Sequence, residues 1–322
     1  MSYTTIPSSS NIGKILLITG PTASGKSGLA EYIALRRGGR EIISADSRQI
    51  YKGLDIGTAK PKNPPVPYHL IDIIEPTERY SAARFVQDAA EKIADILQRG
   101  RTPIVVGGTG LYIRALTIGI FDGEFRDDEL RAELRRRYDA GDDLFAELAK
   151  IDPAAAEKID PRNFVRIQRA LEVYYLSGKP ISYHWEHSEY KKVPYTFEKV
   201  AVSIPREELR RRIRERVHKM LKDGWIEETR ELLKKLTPPP IAEGREPLFP
   251  TRAPAPALLS LGYPEIIAYI RGELSIEELP EKIIAKTNGY ARRQMVWFRK
   301  EPDLRWLTAA EIKERYANNY RE

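Results

Sequence analysis

The chain has 322 residues, 42% of them hydrophobic, enough to bury a sizeable core and to divide into two domains. It has no cysteine and four histidines, which excludes disulfides, thiolate zinc sites and cysteine nucleophiles and leaves little for an imidazole metal site. Lysine and arginine number 53 against 46 acidic residues, a formal charge of +7, which suits a polyanionic partner without by itself requiring one.

The opening MSYTTIPSSS carries neither the basic start nor the apolar stretch of a signal peptide. No apolar run approaches the ~18 residues of a membrane helix, so a cytoplasmic protein without membrane association is expected. Short apolar runs at Lys14 to Thr19, Glu41 to Ser44, His69 to Ile73 and Thr102 to Val106 predict strands. Between them, Ser24 to Leu35 and Ser81 to Leu97 place apolar residues three and four apart and predict helices. Strands alternating with helices imply a parallel sheet with crossover helices, hence an α/β, doubly wound core.

From about Phe121 to Tyr195 the strand signal fades. Leu130, Leu134 and Tyr138, then Leu144, Phe145, Leu148 and Ile151, mark short amphipathic helices of a helical insertion domain. Ile167, Ala170, Leu171 and Tyr174 form one stripe of a further helix, while Arg162, Arg166 and Arg169 fall on another face, by default a solvated one. Lys199 to Ile204 reads as a strand returning the chain to the core sheet, and Leu209, Ile213, Val217 and Met220 as the buried stripe of a helix with Arg212 and Arg216 on another side. Thr237 to Pro256 contains seven prolines and reads as an extended loop, after which helical patterning runs from Ala257 to the end. The expected organisation is a core segment over 1–121, a helical insertion over 122–196 and a return to the core over 197–322.

Gly20-Pro21-Thr22-Ala23-Ser24-Gly25-Lys26-Ser27 matches G-x-x-x-x-G-K-[ST] after an apolar strand and at a helix start, the context that a P-loop requires. Its glycines let the backbone wrap a phosphate, its N–H groups and the helix terminus point inward, Lys26 adds a charge, and Ser27 is placed to ligate magnesium. The motif fixes a phosphate but not a reaction. In an open α/β sheet the site lies at the carboxyl ends of the strands, which makes Ser44-Ala45-Asp46-Ser47 and Gly107-Gly108-Thr109-Gly110 site candidates. A nucleotide hydrolase usually ends a strand in a magnesium-holding Asp, and here the strand Thr102 to Val106 ends in Gly-Gly-Thr-Gly. Asp46 reads equally as a general base, a magnesium-shell carboxylate or a helix cap, with Asp55 and Asp72 weaker candidates of the same kind. Thr109 in its glycine-flanked turn reads first as satisfying a backbone group.

The blocks GPTASGKSGLA, ISADSRQIYKGLDIGTAKP, YHLIDIIEPTERYSAARF, VVGGTGLYIRAL, NFVRIQRALEVYYLSGKPIS and YARRQMVWFRK, in that order from about residue 13 to 300, resemble those of the tRNA dimethylallyltransferases. The resemblance implies transfer of a dimethylallyl group from dimethylallyl diphosphate to N6 of adenine 37, beside the anticodon of a transfer RNA. It implies that the P-loop, Lys26 and a Mg2+ on Ser27 hold the leaving diphosphate. By the family's pattern Asp46 accepts the amine proton, Thr109 contacts the tRNA and places the amine, and Arg216, with Arg212, grips the diphosphate. Asp46, Ser47, Arg48 and Gln49, the run Gln168, Arg169, Ala170, Leu171 and Glu172, and Arg131 match tRNA-contacting positions. Arg162, Arg166 and Arg169 are then expected on backbone phosphates of an anticodon stem-loop, and Tyr183 and Trp185 on loop bases. The proline-rich stretch and Pro264, where a basic residue is common, depart from the family, and the absence of cysteine removes the zinc-finger extension of eukaryotic members, favouring a bacterial-type enzyme. The alternatives are an adenylate isopentenyltransferase acting on free nucleotide, a small-molecule P-loop kinase and a non-catalytic RNA-binding module. One active site per chain needs no partner subunit, so a monomer is expected.

Overall fold

The computed structural model describes residues 13–121, 125–187, 190–236 and 255–318. Its strands are β1 (Ile15–Thr19), β2 (Arg40–Ser44), β3 (Tyr68–His69), β4 (Thr102–Val106), β5 (Ile120–Phe121), β6 (Tyr190–Lys191), β7 (Phe197–Val202) and β8 (Arg305–Leu307). Its helices are α1 (Lys26–Arg37), α2 (Ala82–Gln98), α3 (Gly110–Thr117), α4 (Asp128–Asp139), α5 (Leu144–Ile151), α6 (Pro153–Ala156), α7 (Phe164–Ser177), α8 (Ile181–His187), α9 (Arg206–Lys222), α10 (Trp225–Leu236), α11 (Tyr263–Ile270), α12 (Glu278–Phe298) and α13 (Ala309–Lys313). The chain divides into two compact units, Met1–Thr117 with Val193–Glu322, and Ile118–Lys192.

In the larger unit six strands make one parallel sheet in the order β3-β2-β4-β1-β7-β8. Because alternate side chains of a strand point to opposite faces, Leu16, Ile18, Ile42, Ile104 and Val106 share one face and pack with Leu29 and Ile33 of α1 and Ile312 of α13. Leu17, Ile43 and Val105 on the other face are equally enclosed, on the side where α2 covers β2 and β4 through Phe85, Ala89 and Ile93. Each such large side chain contributes roughly 1.5–3 kcal/mol by leaving water. The doubly wound parallel core is thus the one the alternating apolar runs predict, with β4 inserted between β2 and β1.

A second cluster joins α9, α10, α11 and α12 to the loop that follows β2. Ile213, Val217, Trp225, Tyr263, Ile266, Leu279 and Ile283 close over Ile50, Tyr51 and Leu54. The stripe expected on α9 is buried at all four positions, Leu209, Ile213, Val217 and Met220. Glu228 of α10 accepts from the backbone N–H groups of Asp55, Ile56 and Gly57 at 2.9, 2.6 and 3.1 Å and from the Tyr263 hydroxyl at 2.6 Å, which ties that loop to the helices.

Two expectations need correction. The strand expected over His69 to Ile73 stops at His69, because Leu70 and Asp72 take positive φ values of 61° and 54° and turn the chain away. Helical patterning does not continue to the end either, since β8 adds a three-residue parallel edge strand beside β7. So short a strand is specified by backbone pairing with β7, and its own residues carry no alternation long enough to read. The proline-rich stretch lies outside the described residues over 237–254, and Pro256 opens a 3₁₀ turn, Pro256–Leu259.

The smaller unit packs α4, α5, α7 and α8 around Leu134, Leu144, Leu148, Ile167, Leu171 and Val173. The residue pairs Ile120–Lys191 and Phe121–Tyr190 close it in a short antiparallel ladder.

At the amino end of the sheet Glu41 of β2 is enclosed and accepts from Arg99 at 2.5 and 2.8 Å, with His69 at 2.6 Å and Arg101 at 3.2 Å. The Arg99 guanidinium outweighs burial and, with His69, holds the Glu41 carboxyl down to about 2. A carboxyl lowered in the folded state stabilises fully above its ordinary pKa near 4.5 and progressively less as pH falls toward 2. Thermal melts over that window are therefore expected to show an acid-limb loss of stability that is shallower in Glu41→Gln. At neutral pH the same variant is expected to be destabilised by on the order of 1–3 kcal/mol, since Arg99 and His69 lose a charged acceptor.

Candidate active site

The P-loop is built by the handover from β1 to α1. Gly25 occupies the N-cap of α1 at φ 88°, a conformation open to glycine and strained for other residues, and Ala23 is held at φ 62°. The first turn of α1 carries no acidic residue, so no carboxylate there opposes the positive end of the helix. The Ser24 hydroxyl is buried and has no hydrogen-bond partner among the described residues, an orphaned polar group at an anion-suited turn. Lys26 donates to the Pro21 carbonyl at 3.3 Å. Burial pushes the Lys26 ammonium down to about 8; the Asp46 charge opposes this fall and the Arg216 charge adds to it.

The parallel register brings three strand ends side by side. The Ala45 N–H donates to the Val106 carbonyl at 2.7 Å, the Gly107 N–H to the Ile18 carbonyl at 3.2 Å, and the Thr19 hydroxyl to the Gly107 carbonyl at 2.9 Å. Asp46 follows β2, and its Oδ1 accepts the Arg48 N–H at 2.8 Å in a local turn. The Thr109 hydroxyl accepts the Ser47 N–H at 2.9 Å and lies 3.3 Å from the Ser47 hydroxyl, so the backbone-satisfying reading of Thr109 holds, and the group satisfied belongs to the Asp46 turn. Gln49 accepts from the Ser44 hydroxyl at 2.9 Å and donates to the Thr58 and Ala59 carbonyls. Arg48 donates to the Pro256 carbonyl at 3.3 Å. Asp55 and Asp72 are placed elsewhere: both accept from the buried ammonium of Lys60, which also reaches the Tyr51 carbonyl at 2.6 Å, so they brace the loop instead of facing the phosphate turn.

Two cavities share Thr22, Asp46, Thr58, Arg216 and Tyr290 as walls. The smaller, about 70 Å³, is polar and adds Lys26, Ser27 and Gln294. The larger, about 350 Å³, adds Ile213, Val217, Met220, Trp225, Leu261 and Arg293. Burial lowers the pKa of Arg216 and the Asp46 charge opposes the fall, while burial, reinforced by Asp46, pushes the Tyr290 hydroxyl up to about 12. Arg212 pairs with Glu208 at 2.7 Å and reaches the Ser24 carbonyl at 3.4 Å, beside the P-loop.

Sequence reading did not single out Gln294, Tyr290 or Arg293, although all three stand in YARRQMVWFRK. Their helical spacing, 290, 293 and 294, is the available signal that they share a face. A groove of about 780 Å³ between α9 and α12 was also not anticipated. Arg206, Arg210, Arg292 and Arg299 line it over an apolar floor of Ile204, Leu209 and Met295.

In the smaller unit the expected tRNA-contacting run divides. The side chains of Ala170, Leu171 and Glu172 are buried within that unit, while Gln168 and Arg169 are partly exposed. Glu172 accepts from Arg131 at 2.6 and 2.8 Å, from Arg169 at 2.8 Å and from the Asp127 N–H at 3.1 Å. Burial works against its charge, yet these donors outweigh it and hold its carboxyl below the ordinary value. Arg131 and Arg169 are thereby held in place, Gln168 donates to the Arg131 carbonyl at 2.8 Å, and Arg162 pairs with Asp160 at 3.2 Å. Arg166 is exposed, without a charged partner among the described residues. Tyr183 is stacked by His187 at 4.2 Å with the Lys179 ammonium 4.3 Å from its ring, and Trp185 packs partly against the unit's core, so both rings already have neighbours within their own unit.

Fold and cavities together define an α/β P-loop protein whose loop residue Thr22 lines both a small polar cavity and a larger one of mixed apolar and charged lining. The IPP transferase family profile matches residues 49–301, and the chain belongs to that family. It is 45% identical over 299 residues to a tRNA dimethylallyltransferase of Citrifermentans bemidjiense, covering 91% of this chain and 92% of that one. Among solved structures it is similar to the tRNA isopentenylpyrophosphate transferase of Bacillus halodurans at 34% identity, covering 94% of each chain with a TM-score of 0.64. It is also similar to a eukaryotic dimethylallyltransferase acting on tRNA at 26% identity, covering 95% of this chain and 77% of that one with a TM-score of 0.75.

Because the Lys26 ammonium is pushed down to about 8, its charge is present below that pH and lost above it. Calorimetric affinity for inorganic diphosphate is accordingly expected to fall as pH rises through about 8. Lys26→Ala is expected to flatten that limb and to weaken binding roughly 10- to 100-fold at neutral pH, the worth of a charge-assisted hydrogen bond.

Proposed function

We propose that this protein transfers the dimethylallyl group of dimethylallyl diphosphate to N6 of adenine 37 in transfer RNA. The observation that carries the reading is the pair of neighbouring cavities with walls in common, one polar and bounded by Lys26, Ser27, Asp46 and Arg216, the other including Ile213, Val217, Met220 and Trp225 in its wall. An anion and a short branched hydrocarbon joined at one carbon require such a boundary, and family membership supports the same donor.

The P-loop amides, Lys26 and Arg216, with Arg212 beside the loop, bind and orient the diphosphate. The amine nitrogen forms a bond to C1 of the allyl group while the C1–O bond breaks, and that electron pair leaves on the diphosphate oxygen. Lys26 and Arg216 stabilise the charge that grows there, more strongly in an enclosed site than in water. The Asp46 carboxylate takes the proton released from the attacking N6, and Thr109, fixed to the Ser47 amide, holds the turn against which the amine is placed.

Ser27 offers a hydroxyl oxygen of the kind Mg2+ accepts and would hold the ion beside the diphosphate, leaving the Asp46 carboxylate free to take the proton. Among the described residues no group of three or more His, Asp or Glu side chains is placed to hold a metal ion, so an ion at Ser27 would depend on the diphosphate for further oxygens. Bound there, Mg2+ would supply further neutralisation of the leaving group.

The arginine groove of α9 and α12, and Arg166 in the helical unit, support a polyanionic acceptor such as an anticodon stem-loop. No helix among the described residues is long and apolar enough to cross a membrane. A monomer is the simplest assembly for one complete cavity pair per chain.

Transfer of label from dimethylallyl diphosphate to an anticodon stem-loop, lost when adenine 37 becomes guanine, is the expected result. Equal transfer to free AMP, or phosphoryl transfer from ATP without prenyl transfer, would overturn the reading. Asp46→Asn is expected to slow transfer by roughly 100- to 10,000-fold, the usual contribution of a general base, with tRNA affinity nearly unchanged. Arg166→Ala is expected to reduce the slope of log affinity against log salt by about one unit, as read by filter binding across a salt series.

A further inference from the structure

We propose that Gln294 is a positioning residue of the transfer reaction, a role that rests on the function proposed above: its carboxamide sets the donor loop and the acceptor turn in register. Gln294 is 6% exposed on α12 and uses both ends of its amide. Its Oε1 accepts the Thr22 N–H of the P-loop at 2.8 Å, and its Nε2 donates to the Gly108 carbonyl at 2.7 Å. A side-chain amide offers an uncharged acceptor and donor on one planar group; ionised glutamate lacks the donor, lysine the acceptor, and methionine has no donor and only a weakly accepting sulfur. Thr22 and Gly108 sit on opposite sides of the reaction. Thr22 belongs to the loop proposed to hold diphosphate, and Gly108 adjoins Thr109, whose hydroxyl fixes the Ser47 amide next to Asp46.

The glycines around Thr109 record how closely α12 approaches. A Cβ on Gly108 would lie 2.5 Å from Gln294 Nε2, and one on Gly110 would lie 2.4 Å from Trp297 Cδ1. Gln294 and Trp297 stand three residues apart on one helix face, so α12 clamps the turn on both sides of Thr109. The result is one chain of contacts, Thr22 to Gln294 to Gly108 to Thr109 to Ser47, that fixes where the allylic carbon stands relative to the base. The bridge carries no charge, so it governs alignment more than affinity.

The test compares wild type, Gln294→Met, Gly108→Ala, Gln294→Ala and the double variant Gly108→Ala/Gln294→Ala in steady-state prenyl transfer, with melting curves for each and Thr22 amide exchange for wild type and Gln294→Met. Gln294→Met is expected to lose roughly 10- to 100-fold in kcat, the cost of a small misplacement, with KM for both substrates within about threefold of wild type and faster Thr22 exchange. Gly108→Ala is expected to lose a similar factor alone but to cost less than about threefold when added to Gln294→Ala, because its steric partner is gone. Gln294→Asn, which keeps both groups one methylene short, replaces Gln294→Met if the latter does not fold and is expected to lose kcat in the same way. Unchanged kcat in a folded variant, a loss confined to KM or to melting temperature, or additive losses would overturn the positioning role. No transfer by wild type would instead remove the functional reading and the role with it, an outcome told apart by the unaltered enzyme alone.

Discussion

The insertion of β4 between β2 and β1 is the constraint on which the site depends. Parallel pairing aligns carboxyl ends, so the ladder that joins Ala45 to Val106 and Gly107 to Ile18 delivers the P-loop, the Asp46 turn and the Thr109 turn to one edge of the sheet. These segments are separated by tens of residues in the chain and none of them makes a site alone. Their proximity follows from backbone hydrogen bonds that are indifferent to side-chain identity. The side chains then need only be correct for their own turn.

The second layer supplies what the sheet lacks. The turns at the sheet edge offer polar groups and a charge pair, Lys26 and Asp46, but no wall for a hydrocarbon. Packing α9 to α12 over the loop after β2 adds apolar walls, Ile213, Val217, Met220 and Trp225, and polar groups, Arg216, Tyr290 and Gln294. Two enclosed cations around one carboxylate leave an excess of positive charge. That excess suits a bound anion, while Lys26 is pushed down to about 8 first of all by burial, with the Arg216 charge adding to the fall. The orphaned Ser24 hydroxyl points the same way.

In the helical unit one buried carboxylate organises its surroundings. Glu172 gathers Arg131, Arg169 and the Asp127 amide, so two arginines expected on RNA are first of all held by protein. A carboxylate with three charge-assisted donors is stable in the interior where an unpaired one is not. Sequence patterning had placed Ala170 and Leu171 correctly on an apolar stripe.

The amino-acid sequence by itself determined the parallel core, the P-loop with Lys26 and Ser27, the candidacy of Asp46 and Thr109, the buried stripe of α9 and the family to which the chain belongs. These are local signals, because a strand's alternation, a helix's three- and four-residue spacing and a phosphate turn are each written in consecutive residues. Tertiary structure alone decided the rest. Gln294 lies 272 residues from its partner Thr22, Asp55 and Asp72 were removed from candidacy by Lys60, and Glu172 was turned inward. Hydrogen bonds of that range leave no period in the chain, and a polar residue reads alike whether its partner is water, a distant backbone or a substrate.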